Sequence, residues 1–503
     1  MWTRRRLIQS MGAASALPTG WSMRLARAEE PDIELKLVAG TAAVPVFDGA
    51  ATPVLRYSGR VVRGRADALI AADSFLGPTL NLRRGERVRV EVDNQLDEPT
   101  VVHWHGMLVP EAADGHPRLA VMPGRSTIVE FTVSNPAGTY FYHPHPHGRT
   151  GFQVHQGLMG LLIVRDAAEE ALGLPEPAFD LPLVIQDRSH DRLNRFIYEG
   201  SMMQAMQGQF GNEVLVNGRA DAVFKVSRRA WRLRLLNGSN ARIYKLAWSD
   251  GEPMRVISSG SGLHGREQGV RTVPYVTLAP AERVEIIEDF GRRAEGTELA
   301  LVSRAFDAGG GMMGGGMMGG GMMGGGMMGN VRQGQALDVA RFAIGRGPAL
   351  RPDAIQLPQI RDEDWTRIGR PQHLVRTALG FNHMQGLLNG RSFGMTAVAD
   401  EEIVPVGRPV AWRFVNRASM MMAMPHPMHV HGVRFRVLER RGGTGSDLRQ
   451  GMVDDGYKDT VLLLPGEEVT VGFIAPEPGL FLYHCHNLEH EDGGMMRNVR
   501  FVS

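Results

Sequence analysis

The sequence predicts an all-β protein built from three Greek-key β-sandwich domains. Three observations predict this. First, a short strand closed by asparagine recurs three times: VRVEVDN ending at Asn94, WRLRLLN at Asn237 and VAWRFVN at Asn416. Apolar and polar residues alternate in each, the mark of a half-buried strand. Second, a Pro-centred turn and another alternating strand follow each copy: MPGRSTIVEFTV from Met122, LAPAERVEIIEDF from Leu278 and LLPGEEVTVGFIA from Leu463. Third, long helical periodicity is scarce while Gly and Pro punctuate the short strands, which favours antiparallel sandwiches.

The same order three times predicts homologous domains over residues 29–168, 178–346 and 350–503. Between the first two, RDAAEEALGLPEPAFD reads as a short helix or linker. Ahead of them, Arg4, Arg5 and Arg6 precede a weakly apolar stretch ending in Ala26-Arg27-Ala28, which has the small-x-small form of a cleavage site. TRRRLI has the form of a twin-arginine signal, so residues 1–28 are expected to be a signal peptide. Removing them takes away five arginines and no acid, so the formal charge falls from +2 to −3. A near-neutral mature chain gives no reason to expect nucleic acid or anionic lipid as a partner. No other segment approaches the ~20 apolar residues of a membrane span. A periplasmic, monomeric protein handled by the Tat export machinery, without stable membrane association, is expected.

The chain has one cysteine, so a disulfide scaffold is excluded. Its histidines gather in four H-x-H pairs: His103/His105, His143/His145, His429/His431 and His484/His486. Residues i and i+2 of a strand face one way. Each pair therefore offers two imidazoles to one side, and eight converging imidazoles would bind several transition-metal ions. Two pairs fall in the first domain and two in the third. The matching stretch of the middle domain, ARIYKLAWSDG, has no histidine, so that domain is expected to act as a spacer and wall. Cys485 stands between His484 and His486 and must face the opposite way. Its natural partners are His426, His490 and Met495; one thiolate, two imidazoles and a weak thioether make a blue-copper electron-transfer site.

The motifs HWHG, YHPHPHG, HPMHVHG and HCHNLEHEDGGMM resemble the four copper signatures of the multicopper oxidases, and the resemblance covers the whole mature chain. Within the family the chain is most similar to bacterial cuprous oxidases and bacterial laccases. The resemblance implies three cupredoxin-like domains and four copper ions. His426, Cys485, His490 and Met495 would hold the type 1 copper, and His103 and His429 the type 2 copper. His105, His143, His145, His431, His484 and His486 would hold two type 3 coppers. It also implies one-electron oxidation of a donor at type 1 coupled to four-electron reduction of O2 to water. Asp114, nine residues after His105, and Glu491, directly after His490, are the expected proton-relay carboxylates. His147 extends HPHPHG, and in the family that third histidine is usually not a ligand. His116, His155, His190, His264, His373 and His383 lack pairing and read as structural or exposed.

Methionine is the second signal. Residues 309–330 repeat a five-residue Gly/Met unit and carry Met312, Met313, Met317, Met318, Met322, Met323, Met327 and Met328. Such a segment cannot pack a core, and thioethers suit Cu(I). Met422 and Met424 just before His426 are candidate substrate-copper ligands, and Met202, Met203 and Met206 form a further cluster. The cuprous oxidases carry an acid where this chain has Met422, and carry their Met-rich insert in the third domain rather than the second. The leading expectation is a copper-tolerance enzyme oxidising Cu(I). The alternatives are a laccase for phenolic donors and, from another class, a non-catalytic periplasmic copper-binding protein. A degenerate relative would have lost ligands, and this chain has them all.

Overall fold

The recurring asparagine ends each strand for the same physical reason. A computed structural model describes residues 30–307, 332–350, 357–358, 363–382, 385–417, 423–443 and 446–503. In it the three copies are strands Arg87–Asn94, Ala230–Asn237 and Pro409–Asn416. Asn94 Nδ2 donates to the carbonyls of Glu98 and Val121 (2.9 and 2.8 Å), and Asn237 Nδ2 to those of Arg242 and Leu278 (2.7 and 2.8 Å). Asn416 Nδ2 donates to the carbonyls of Met424 and Leu464 (2.8 and 3.0 Å). One side-chain amide thus ties the strand end to the Pro-centred turn. Each turn needs a residue with positive φ, supplied by Gly124 (68°), Ala281 (66°) and Gly466 (72°). Ala281 adopts at some steric cost what glycine adopts freely.

The strand after each turn, Arg125–Thr132, Arg283–Asp289 or Glu467–Ile474, pairs antiparallel with the Asn-closed strand. On its other edge the Asn-closed strand runs parallel to Ile33–Val44, Asp180–Arg188 or His373–Asn382. Six sheets result among the described residues, two for each repeat. Each pair of sheets closes over its own core, centred on the fully buried Trp104, Trp248 or Trp412. Truncating one such indole to alanine would cost about 3–5 kcal/mol. Helices are few and short. No helix among the described residues is long and apolar enough to cross a membrane.

The second sheet of each outer domain sets the histidines in register. Val102–His105 and Gly138–Pro144 pair antiparallel with His103 opposite His143. His426–Val430 and Gly479–Cys485 do the same with His429 opposite His484. The middle domain's counterpart pairs Tyr244–Trp248 with Glu298–Ser303 and holds no histidine. Residues 1–28, the Gly/Met repeat and Met422 lie outside the described residues.

Candidate metal centres

The eight paired imidazoles are all buried and meet between the first and third domains. Their rings fall into three groups, each drawing on both domains. His103 and His429 face each other with Nε2 atoms 3.3 Å apart. His145, His431 and His484 form a trio with ring centroids 5.0–5.2 Å apart. His105, His143 and His486 form a second trio at 5.0–5.7 Å. The two halves interlock by stacking: His103 lies on His431 and His105 on His429, each with centroids 3.8 Å apart.

Backbone carbonyls can only accept, so they fix the tautomers. His103, His143, His429 and His484 each donate from Nδ1 to a carbonyl, of Asp114, Pro144, Asp459 and Cys485 respectively (2.6–3.1 Å). Their Nε2 atoms therefore carry the lone pairs. Burial lowers the imidazole pKa values of His103, His105, His429, His431 and His486, and of His143 and His145 to about 4 and about 3, which favours neutral rings.

This donor set fits a group of metal ions. His143 Nε2 and both nitrogens of His486 are buried without a hydrogen-bond partner. An unsatisfied buried polar atom costs about 1–3 kcal/mol, and a metal bond offsets that cost. Two lone pairs can also face each other closely when they share an ion. Nitrogens ~2.0 Å from one tetrahedral metal stand about 3.3 Å apart, close to the spacings of His103 with His429, His145 with His484 (3.3 Å) and His431 with His484 (3.1 Å).

Cys485 faces away from its two histidine neighbours into the third domain's core, as strand alternation requires. His426 Nδ1 lies 3.5 Å and His490 Nδ1 3.7 Å from its Sγ. His490 donates from Nε2 to the Met206 carbonyl (2.9 Å), which leaves Nδ1 as the lone pair. Met495 is buried in the same core, and its carbonyl accepts from the Cys485 amide (3.0 Å). Burial pushes the thiol well above its usual range, so it ionises only beside a cation. The pocket is a soft thiolate–imidazole site. The peptide of 484–486 is its covalent link to the eight-imidazole cluster.

Both acids singled out from the sequence are buried against the cluster. Asp114 Oδ2 accepts from His431 Nδ1 (2.8 Å), while Oδ1 has no partner. Burial, reinforced by the charge of Glu111, pushes its carboxyl well above the usual range. Glu491 lies 3.1 Å from His484 Nδ1 and 3.6 Å from His145 Nε2. Burial disfavours its anion, while a positive charge on His145 or His484 would favour it. Asp492 behind it is pushed well above that range by burial and by the charge of Glu491.

The structure adds residues that sequence reasoning missed. Asp459 is fully buried; its carbonyl accepts from His429 and its carboxylate is 3.0 Å from His105 Nε2. Arg283 of the middle domain grips that carboxylate through both Nη atoms (2.6 Å each). Burial would raise the Asp459 carboxyl, but Arg283 holds it well below the usual range. The expected spacer domain thus reaches to the edge of the cluster. Glu489 fastens helix Leu488–Asp492 by accepting from Asn240 Nδ2 (2.7 Å), the Gln209 amide (2.9 Å) and the Tyr198 hydroxyl (3.2 Å). In KDTVLLL an acid ahead of an apolar strand reads as a turn residue, so Asp459 gave no signal. Of the unpaired histidines, His116 bonds Asn498 (2.8 Å) and His190 bonds Glu213 (3.1 Å), whereas His383 lies outside the described residues. Met424 is half-buried, with its carbonyl on Asn416.

Two profiles of the multicopper oxidase family match residues 58–169 and 366–502. A multicopper oxidase of Staphylococcus aureus is 30% identical over 431 residues, covering 85% of this chain and 82% of that protein. A laccase of Bacillus stratosphericus is 29% identical, covering 85% of this chain and 89% of that protein. The crystal structure of the McoA multicopper oxidase from Aquifex aeolicus superposes with a TM-score of 0.76 at 30% identity, covering 94% of this chain and 97% of that one.

Proposed function

Since the chain belongs to the multicopper oxidase family and is therefore a copper oxidoreductase, we propose that it oxidises Cu(I) to Cu(II) and reduces O2 to water, giving copper tolerance in the periplasm after Tat export. The observation that carries the oxidase reading is the shared segment 484–486, in which a thiol pocket adjoins an eight-imidazole cluster through one peptide. Four bound coppers would supply single-electron transfer at Cys485 and four-electron oxygen chemistry at the cluster. His426, Cys485, His490 and Met495 would hold the first. His103 and His429, the trio His145, His431 and His484, and the trio His105, His143 and His486 would hold the other three.

The protein's own residues then have distinct tasks. The Met206 carbonyl orients His490, and Glu489 seats the helix that carries it. Burial favours the protonated form of Asp114, which can release its proton beside His431. Glu491 takes protons between His145 and His484, with Asp492 behind it pushed toward its protonated form. Two buried acids beside the cluster match a reaction that consumes four protons.

Cu(I) is favoured over phenols by helix Met202–Gln207. Met202 and Met203 are 66% and 62% exposed, while Met206 of the same helix holds His490. Large apolar side chains left in water on a helix that holds a redox ligand suit a soft cation. Met424 and the methionines of 309–330 would extend this supply. A laccase acting on phenolic donors is the second reading, favoured by the Bacillus relative. Oxygen uptake by copper-loaded protein separates them. Fast uptake with chelated Cu(I), and weak phenol turnover stimulated by Cu(II), is expected. Fast phenol turnover without added copper, and negligible uptake with Cu(I), would make the protein a laccase.

A further inference from the structure

The hairpin of His373–Asn382 and Gln385–Leu388 lies against the thiol pocket, and its register decides what it presents there. Leu379 pairs with Leu388, and Phe381 with Gly386. Residues directly opposite each other share a face of the sheet, so all four face one way. Leu379 and Leu388 are buried in the third domain's core with Cys485 and Met495. The Phe381 ring stands 5.1 Å from the His490 ring and 5.9 Å from the His426 ring, centroid to centroid. Opposite that ring, Gly386 presents bare backbone to Met495. A Cβ there would lie 2.6 Å from Met495 Cβ, 2.9 Å from Met495 N and 3.2 Å from the His490 carbonyl oxygen. Non-bonded carbons settle about 3.5–4.0 Å apart, so no side chain fits.

We propose that Gly386 is a positioning residue of the thiol pocket: its missing side chain lets the hairpin close on Met495, and the closed hairpin holds Phe381 over His426 and His490 and keeps water from Cys485.

The ligand segment is cut to match. The Gly493 carbonyl accepts from the Gly386 amide (3.0 Å). Gly494 has φ 104°, which favours glycine, and a Cβ on it would stand 3.2 Å from the Gly386 carbonyl oxygen. The two glycines of HEDGGMM thus face the one glycine of QGLL. Met495 has little freedom to yield. Its amide donates to the His490 carbonyl (2.8 Å), and its carbonyl accepts from the Cys485 amide (3.0 Å). Gln385–Leu388 is an edge strand of its sheet, so an added methyl would lift the hairpin rather than displace the ligand. Gly380, on the hairpin's other face, has nothing within 4 Å of where its Cβ would stand. The hairpin therefore carries its own control.

The inference rests on the thiol pocket as a copper site, but its first test needs no copper. Cys485 is the only thiol in the chain. A buried thiol reacts through local opening, at a rate that tracks the open population. In copper-free full-length protein, Gly386→Ala should speed reaction with dithiobis(nitrobenzoate) about tenfold or more, while Gly380→Ala stays at the wild-type rate. A Gly386→Ala rate equal to wild type, or an equal rise from Gly380→Ala, would overturn the proposal. Should Gly386→Ala not fold, the wild type supplies the check. Its Gly386 amide should be protected from hydrogen exchange to the same degree as the thiol is protected from the reagent. An amide that exchanges freely above an unreactive thiol would overturn the proposal. The second test reads the metal. Water admitted to the pocket favours the more highly charged Cu(II) form. In copper-loaded protein, Gly386→Ala should shift the Cu(II)/Cu(I) equilibrium at Cys485 about tenfold toward Cu(II), a potential lower by about 59 mV for one electron. Cluster copper should not change. An unaltered potential and blue absorption would mean that the hairpin packs on the pocket without shaping it, against the proposal. A wild-type protein that binds copper without blue absorption would sink the copper reading of the pocket and leave the thiol test standing.

Discussion

The thiol pocket and the imidazole cluster are built in opposite ways. The pocket takes His426, Cys485, His490 and Met495 from one domain: the first two from directly paired strands, His490 from the helix that follows and Met495 just beyond it. The cluster takes half its rings from each of two domains whose motifs are more than 280 residues apart, and a third domain braces its edge. The difference shows where each site is vulnerable. A one-domain site depends on the local turn and helix that carry its ligands. A shared site depends on how domains dock, and on groups such as Asp459 that bind no metal in this account. The pocket can then be emptied while the cluster survives, whereas the cluster cannot be loosened from one side alone.

Substitutions can break that comparison, and the largest effect should come from the pocket. Cys485→Ser should lower turnover by about a thousandfold or more, because no other residue links donor oxidation to the cluster. Copper analysis should still find the cluster loaded, and joint loss of all copper would mean the two sites are not separable. Next come the cluster acids. Asp114→Asn and Glu491→Gln should each reduce turnover about 10²–10⁴-fold, the usual worth of a positioned acid or base, with copper content unchanged. Rates equal to wild type across pH 5 to 8 would remove them from the mechanism.

Smaller effects should fall on the approach to the pocket. Met202→Leu with Met203→Leu should raise KM for Cu(I) about tenfold, equivalent to about 1.4 kcal/mol, and leave phenol turnover alone. Deleting 309–330 should act in the same direction at low free copper, and unchanged kinetics there would make that segment a passive linker. The smallest effect on chemistry should come from the buried ions joining the first and second domains. Arg234 grips Asp180 (2.6 and 2.7 Å), Glu285 (2.9 Å) and Thr139 (3.0 Å). Burial alone would raise Asp180, yet Arg234 and its neighbours hold it well below the usual range. A carboxyl lowered in this way stabilises the fold above its unfolded pKa of about 4, and that contribution disappears as pH falls below it. Arg234→Met should cost about 3–5 kcal/mol of stability by leaving buried carboxylates unpaired. Calorimetry at pH 7 would detect this, and specific activity of the folded protein should not change.

The contrast also explains what could be read from sequence. Strands, repeats and the paired histidines were legible because short-range periodicity fixes them: alternation separates Cys485 from His484, and i, i+2 spacing pairs the imidazoles. Asn94, Asn237 and Asn416 marked the domains because each tethers the same turn. Asp114 and Glu491 could be singled out by their nearness to ligands. Arg283 and Asp459 could not, because an ion pair between residues 176 positions apart leaves no local pattern. The middle domain, read as a spacer for lack of histidine, contributes through an arginine.

The most direct measurement of the central claim is the stoichiometry of Cu(I) consumed per O2, with a peroxide trap present. Electrons entering singly at Cys485 and gathered at the cluster should give four Cu(I) per O2 and no peroxide. Two Cu(I) per O2 with peroxide released would contradict the account, because oxygen would then be reacting outside the cluster.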